Sequence, residues 1–236
     1  MREPARPTAI VYVDGFNLYR RCLEQHPGAK WLDLPALMDR LLPHHDVRHV
    51  HYFTALIRAG AGDDAQGPIR QQTYIRALQA TGRVTPHYGT YRIDRRLMPK
   101  HPAELDDDGS LARVSVRKIE EKGSDVNLAV RMLLDAHRGD ADLYCLLTND
   151  SDQVTTIRTL QEEVGVSVGW ISPMPTLRQS KALQQTGPAL IACVTLDAVM
   201  ASQLPEEVRS GRQTLRRPER WRPKTESPAG AGLSNR

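Results

Sequence analysis

Ala9-Ile10-Val11-Tyr12-Val13, followed at once by Asp14-Gly15, is the stretch that decides the fold. A short apolar run rich in β-branched residues that stops at Asp-Gly has the pattern of a buried strand ending in a tight turn. Leu143 to Leu147 is a second uninterrupted apolar run, too short for a helix, and reads as a central strand. Between them, a helix is expected from about Phe16 to Glu24. Asp33 then caps a helix carrying Leu34, Leu37, Met38, Leu41 and Leu42 at helical spacing and closed by Pro43. Val47 to Phe53 and Val84 to Tyr88 read as strands on either side of a helix over Gln66 to Thr81, which has Pro68 in its first turn.

Arg92 to Leu111 is rich in charge and proline and contains Asp106-Asp107-Asp108-Gly109, so it predicts an exposed excursion, whether binding loop or insertion. Order returns at Arg113 to Ile119. The helix that follows puts Val126, Ala129, Val130, Leu133 and Leu134 on one face, the face expected to meet the core. Asp150 to Glu163 reads as helix, Val166 to Ile171 as strand and Leu190 to Val194 as an edge strand. Strands alternating with helices predict an α/β fold with a largely parallel sheet covered on both faces.

A chain of 236 residues suits one α/β domain with a tail. With 40% hydrophobic and 25% charged residues, the composition is that of a soluble folded protein. The formal charge of +4 is unevenly spread: from Arg209 to Lys224 seven basic side chains face only Glu219, which leaves the body slightly acidic. Residues 1–208 are therefore read as the domain and 209–236 as a basic tail, disordered in isolation. That tail suits an arm drawn to nucleic acid, with Trp221 available to stack on a base, as well as it suits a solvated tail. Cys22, Cys145 and Cys193 form no C-x-x-C pair, which argues against disulfides and a cysteine zinc site. Met1 to Thr8 has no apolar core of a signal peptide, and no run approaches the roughly 18 apolar residues of a membrane span. The expected location is the cytoplasm.

In a parallel α/β sheet, ligands bind at the carboxyl ends of the strands. Asp14 directly follows the first strand, Asp150 and Asp152 follow Leu143 to Leu147, and Asp125 opens a helix after Gly123-Ser124. Carboxylates gathered in one crevice repel each other, and a divalent cation is the usual means of holding them ionised. Oxygen-only ligation suits Mg²⁺ or Mn²⁺, and such ions support phosphodiester hydrolysis. Each aspartate also has an ordinary reading: Asp14 as a turn residue, Asp125 as a helix-start residue beside a Ser124 cap, Asp150 and Asp152 as cap and first turn. Their joint placement at strand ends favours the site.

Three blocks, Asp14-Gly15-Phe16-Asn17-Leu18-Tyr19, Glu121-Lys122-Gly123-Ser124-Asp125-Val126-Asn127-Leu128-Ala129 and Thr148-Asn149-Asp150-Ser151-Asp152, resemble the signature blocks of the NYN domain family, in the LabA-like branch of the PIN-like nucleases. The resemblance spans roughly Thr8 to Pro205, only loosely in the excursion, with Leu196 to Pro205 similar to the branch's closing helix. It implies a PIN-like three-layer α/β/α fold and a Mg²⁺- or Mn²⁺-dependent ribonuclease, with RNA ahead of DNA as partner. Asp14, Asp125, Asp150 and Asp152 are carried over as the acidic, metal-holding residues. Asn17 is implied to position metal water or phosphate, and Lys122, Thr148 and Asn149 to support or contact substrate. Glu121 is a further candidate, or a surface partner of its neighbouring lysine. Two departures stand out: Gln153 where the family has an apolar residue, which is expected to loosen packing, and Thr148 in place of serine, which keeps the hydroxyl.

Other signals are weaker. His44-His45 and His49-x-His51 lack the carboxylate or cysteine that would complete a zinc pattern. There is no G-x-x-x-x-G-K-[ST] loop and no G-x-S-x-G elbow. Phe16 stands where a haloacid-dehalogenase-like phosphatase needs a second aspartate. Tyr12, Tyr52 and Tyr144 read as packing residues. A non-catalytic RNA- or protein-binding role and a DNA- or structure-selective nuclease remain as alternatives.

Overall fold

A computed structural model describes residues 5–57 and 64–223. In chain order its elements are β1 (Thr8–Asp14), α1 (Gly15–Leu18, continued as a wider turn over Tyr19–Leu23), α2 (Leu34–Leu41), β2 (Asp46–Ala55), α3 (Gly67–Ala80), β3 (Val84–Pro99), β4 (Arg113–Lys122), α4 (Ser124–Arg138) and β5 (Leu143–Leu147). There follow α5 (Val154–Thr159), β6 (Val168–Ser172), α6 (Lys181–Gln184), β7 (Leu190–Cys193), α7 (Leu196–Met200), β8 (Glu207–Ser210) and β9 (Gln213–Arg216).

Among the described residues seven strands form one sheet in the order β4-β3-β2-β1-β5-β6-β7. All pairings are parallel except β3 with β4. The apolar runs of β1 and β5 explain their central place. Ala9, Val11 and Val13 point into one core with Leu34, Leu37, Met38 and Leu78, while Ile10 and Tyr12 point into the other with Leu128, Met132 and Ile157. The expected sheet with both faces covered is thus observed, and it is a PIN-like α/β fold. Asp33 caps α2 as expected, accepting the Ala36 N–H at 3.1 Å.

Three expectations are corrected. Residues 92–99 are no loop: β3 continues to Pro99 and pairs with β4 as an antiparallel ribbon. The inward face of α4 also differs from the expected one, because Val126, Val130 and Leu134 are exposed while Leu128, Met132, Asp135 and Ala136 are buried. A carboxylate in the inward stripe makes that stripe look polar.

The third correction concerns the basic tail, which is ordered from 209 to 223. β8 and β9 form a hairpin, Leu215 is buried, and Trp221 packs 6.4 Å from Trp31 and 6.1 Å from Tyr74, ring to ring. Trp221 therefore serves the core and not a base. Arg217 is buried too, donating to the carbonyls of Gly28 (2.5 Å) and Trp221 (3.0 Å). Other arginines are paired as well: Arg216 with Glu207 across the hairpin, Arg220 with Asp64 of the body. A composition that looks disordered is folded here by docking onto apolar surface elsewhere in the chain. Residues 224–236 of the expected tail lie outside the described residues.

Asp135 is held by the Tyr12 hydroxyl (2.9 Å), by Arg131 Nε (2.8 Å) and by His51 Nε2 (3.2 Å), and His51 Nδ1 meets His87 Nε2 at 2.9 Å. His49 meets the Thr85 hydroxyl at 2.8 Å. The histidines are thus tied into a polar seam between sheet and α4. Burial lowers all three imidazoles below the ordinary value, His51 to about 3. The unfolded chain binds protons near pH 6.5 that the folded chain refuses, so this part of the stability is intact above that pH and falls as pH drops toward 3. Asp14 and Asp125, with raised carboxyls, act oppositely. Urea midpoints of wild type and His51→Gln at pH 7.5 and 5 separate the two: the loss on acidification should be smaller in the variant, and equal losses would contradict this assignment.

Candidate functional site

The strand order turns at β1, which lies between β2 and β5. Asp14 ends β1, and Asp150 lies in the turn after β5, so both stand at the crevice where the sheet's winding reverses. Gly15 is required here. A Cβ would fall 2.6 Å from the Phe53 carbonyl and 2.7 Å from the Tyr52 ring, so only glycine lets α1 start against β2.

Asp14 caps α1 by accepting the Asn17 N–H at 2.9 Å, and its other oxygen accepts the Thr148 hydroxyl at 2.9 Å. The buried Thr148 hydroxyl in turn accepts the Asp150 N–H at 3.1 Å. One hydroxyl therefore fixes the carboxylate of β1 relative to the loop after β5. Asn17 ties the same elements, its side-chain oxygen accepting the Asn149 N–H at 3.2 Å. Asp150 caps the following turn through the Asp152 N–H at 3.1 Å.

Asp125 lies in the first turn of α4. The cap residue before it is Gly123, in the left-handed region with φ 92°, and Ser124 is already helical. The Ser124 N–H goes to Glu121 at 3.1 Å, and its buried hydroxyl has no partner among the described residues. A Cβ on Gly89 would collide with the Glu121 carboxylate, so glycine also admits that group to the sheet's edge.

Electrostatics show how closely these groups are gathered. Asp125 is pushed up to about 6, first by partial desolvation and then by the negative charges of Asp14, Asp150, Glu121 and Asp152. Asp14 is also raised, chiefly by burial and further by Asp150 and Glu121, against the lowering effect of the Asn17 N–H and Thr148 hydroxyl. The four aspartates and Glu121 thus share one field. Among the described residues no three His, Cys, Asp or Glu side chains form a ready-made ligand shell. The carboxylates are turned partly to their own capping bonds.

Two expected contacts are engaged elsewhere. Lys122 shares its side of β4 with Glu120, its Nζ 3.4 Å from that carboxylate, while Glu121 faces the other way. Both ends of the Asn149 side chain bind backbone: its oxygen accepts the Ser180 N–H at 2.8 Å and its nitrogen donates to the Arg178 carbonyl at 3.2 Å. Asn149 therefore latches the 176–180 segment beside the site. Gln153, expected to loosen packing, is buried with its oxygen accepting the Thr156 hydroxyl at 2.9 Å.

Sequence reasoning missed the aromatic surround. Tyr91 pairs in register with Glu121, and Phe16 is exposed beside Asp14 with the Arg20 guanidinium 5.2 Å from its ring centroid. Tyr91 lies at the edge of the expected excursion, so only the strand register brings it to the site.

A divalent cation fits the donor set. The carboxylates are hard oxygen donors under mutual repulsion, and Mg²⁺ characteristically takes one or two of them directly and completes its shell with water and phosphate oxygens. A closed cage of three side chains is not needed.

Comparison with known proteins places the chain. The 6-hydroxy-3-succinoylpyridine 3-monooxygenase HspA of Pseudomonas putida is 29% identical, over 93% of this chain and 76% of that protein. The crystal structure of VPA0982, a protein of unknown function from Vibrio parahaemolyticus, covers 84% of this chain and 98% of its own, at 14% identity and a TM-score of 0.52. This second likeness concerns the fold alone. The sequence model of the NYN domain matches residues 8–191, through all three blocks that line the acidic crevice, and the chain belongs to the NYN domain family.

Proposed function

We propose that the chain is a Mg²⁺- or Mn²⁺-dependent nuclease that hydrolyses phosphodiester bonds, with RNA ahead of DNA as substrate. The observation that carries the reading is the set of mutually repelling carboxylates at the crevice between β1 and β5. When bound there, the cation activates a water and offsets charge building on phosphate oxygens.

Asp14 and Asp150 would hold the cation, Asp14 with its carboxylate fixed by the Thr148 hydroxyl and Asp150 with its backbone N–H donating to that same hydroxyl. Asp125 and Asp152 act from the rim, with Glu121 adding to the field. Asn17 positions rather than reacts: it locks α1 to the loop that carries Asp150.

Thr148 is a positioning residue. Thr148→Ser should keep cleavage near wild type, while Thr148→Val should slow it by about 10–100-fold, the range for partners that orient metal-holding groups. Thr148→Val should also raise the Mn²⁺ concentration for half-maximal rate. A valine variant with an unchanged Mn²⁺ requirement would remove Thr148 from the role.

The similarity to HspA favours a second reading, oxygenation of a substituted pyridine. Both are tested on one preparation. Single-stranded RNA, structured RNA and DNA are incubated with Mg²⁺, Mn²⁺ or EDTA, and oxygen uptake is followed with 6-hydroxy-3-succinoylpyridine and a reduced nicotinamide donor. Metal-dependent cleavage without oxygen uptake is expected; oxygen uptake without cleavage would favour the second reading.

A further inference from the structure

We propose that Phe16 is a stacking platform for a nucleobase of the substrate strand, set immediately beside the acidic crevice. Its place follows from the way α1 is packed. Gly15 lies against Tyr52 and Phe53, Leu18 is buried in the core, and the Asn17 side chain reaches across to the Asn149 N–H. The direction left to residue 16 is outward, and Phe16 is 49% exposed. It stands two residues past Asp14, so the two Cα atoms are no more than roughly 7 Å apart.

Packing does not account for a phenylalanine at this position. The chain has two, and the other, Phe53, is 1% exposed and belongs to the core. Phe16 belongs to neither core, so α1 would form as well with a polar residue there. A half-open aromatic ring is unfavourable in water and gains when a flat partner covers it.

The surroundings of the ring select that partner. Arg20, four residues on and therefore on the same side of the turn, has its guanidinium carbon 5.2 Å from the Phe16 ring centroid and is steadied by Glu24 at 2.5 Å. The Tyr91 hydroxyl lies in the field of both Arg20 and Glu121, so two aromatic side chains and a guanidinium line one side of the crevice. An aromatic face with a cation beside it suits a group that is both flat and anionic, which describes a nucleotide. A free anion would have no use for the ring, and a purely apolar partner none for the guanidinium. A base seated on Phe16 would hold its adjoining phosphate next to Asp14. Every base offers a π-face, so the platform should accept any sequence.

The proposal rests on the nuclease reading for the identity of the ligand, and binding is measured apart from cleavage. Fluorescence anisotropy in EDTA compares a labelled 15-nucleotide single-stranded RNA with an abasic oligomer of the same length, for wild type, Phe16→Ala, Phe16→Leu and Phe16→Trp. Alanine and leucine should each weaken RNA binding on the order of tenfold, the scale of one stacked base, and leave the abasic oligomer unaffected. Tryptophan should bind RNA at least as well as wild type. Leucine keeps the apolar bulk and so separates stacking from folding: full affinity in Phe16→Leu overturns the platform, as does an equal loss on both oligomers. The added indole gives a direct signal, because Trp31 and Trp170 are buried. Emission that Phe16→Trp gains over wild type should be quenched by RNA and not by the abasic oligomer. Quenching by 6-hydroxy-3-succinoylpyridine, with RNA affinity indifferent to residue 16, would assign the ring to a small heterocycle and overturn the proposal. If the platform fails, metal-dependent cleavage by wild type would leave the nuclease reading standing. Ring-dependent RNA binding by a chain that cleaves nothing supports the platform and defeats the nuclease reading.

Discussion

Asp14→Asn and Asp150→Asn should each lower metal-dependent cleavage on the order of 10²–10³-fold, the scale seen when one group that stabilises transition-state charge is removed. The substitutions keep the shape of the side chains. In Asp14→Asn one amide oxygen replaces the two oxygens that accept from the Asn17 N–H and the Thr148 hydroxyl, so melting is measured alongside to separate a folding loss from the loss of charge. What is lost is negative charge at the crevice. Removing either charge also relieves Asp125, whose carboxyl is raised partly by Asp14 and Asp150 and should move down from about 6. Rates are compared at saturating and limiting Mn²⁺; two variants as active as wild type would remove both aspartates from the chemistry.

The second large effect is on stability and lies in the seam between the sheet and α4, further along the helix that carries Asp125. Asp135→Ala should destabilise the fold by about 3–5 kcal/mol, because one partner of a buried charge network is removed. Asp135 is fully buried, and its loss leaves the Tyr12 hydroxyl and His51 without their acceptor. Arg131 is partly exposed and can return to water, which keeps the cost from rising further. At about 2–4 °C per kcal/mol for a chain of this size, the melting temperature should fall on the order of 10 °C. Cleavage corrected for folded fraction should be retained. A melt within about a degree of wild type would show that the seam contributes nothing net.

The central sheet was legible because β1 and β5 are covered on both faces, and their uninterrupted apolar runs say so. Asp14 and Asp150 were legible for the same reason, as the first carboxylates past those runs. The ribbon was not: Arg92 to Pro99 bears no core-facing apolar stripe, and its strand character comes from pairing with β4. Asp135 inverted the reading of α4, since a buried carboxylate is recognisable only once Tyr12, His51 and Arg131 are seen around it. Likewise, Asn149 and Lys122 sit inside a recognised block, yet their side chains are taken up by Arg178, Ser180 and Glu120. Sequence adjacency places a residue near a site; tertiary contacts decide what its side chain is free to do.

The most direct test is a single-turnover measurement of single-stranded RNA cleavage by the purified wild-type chain against Mn²⁺ concentration, with the ends of the products identified. Acidic residues holding a cation that activates water predict a rate that rises from zero to saturation with Mn²⁺, is abolished by EDTA and leaves no cyclic phosphate, and the resemblance to the NYN family implies 5′-phosphate and 3′-hydroxyl ends. Cleavage that is indifferent to EDTA and leaves 2′,3′-cyclic phosphate ends, or no cleavage at any Mn²⁺ concentration, would contradict it.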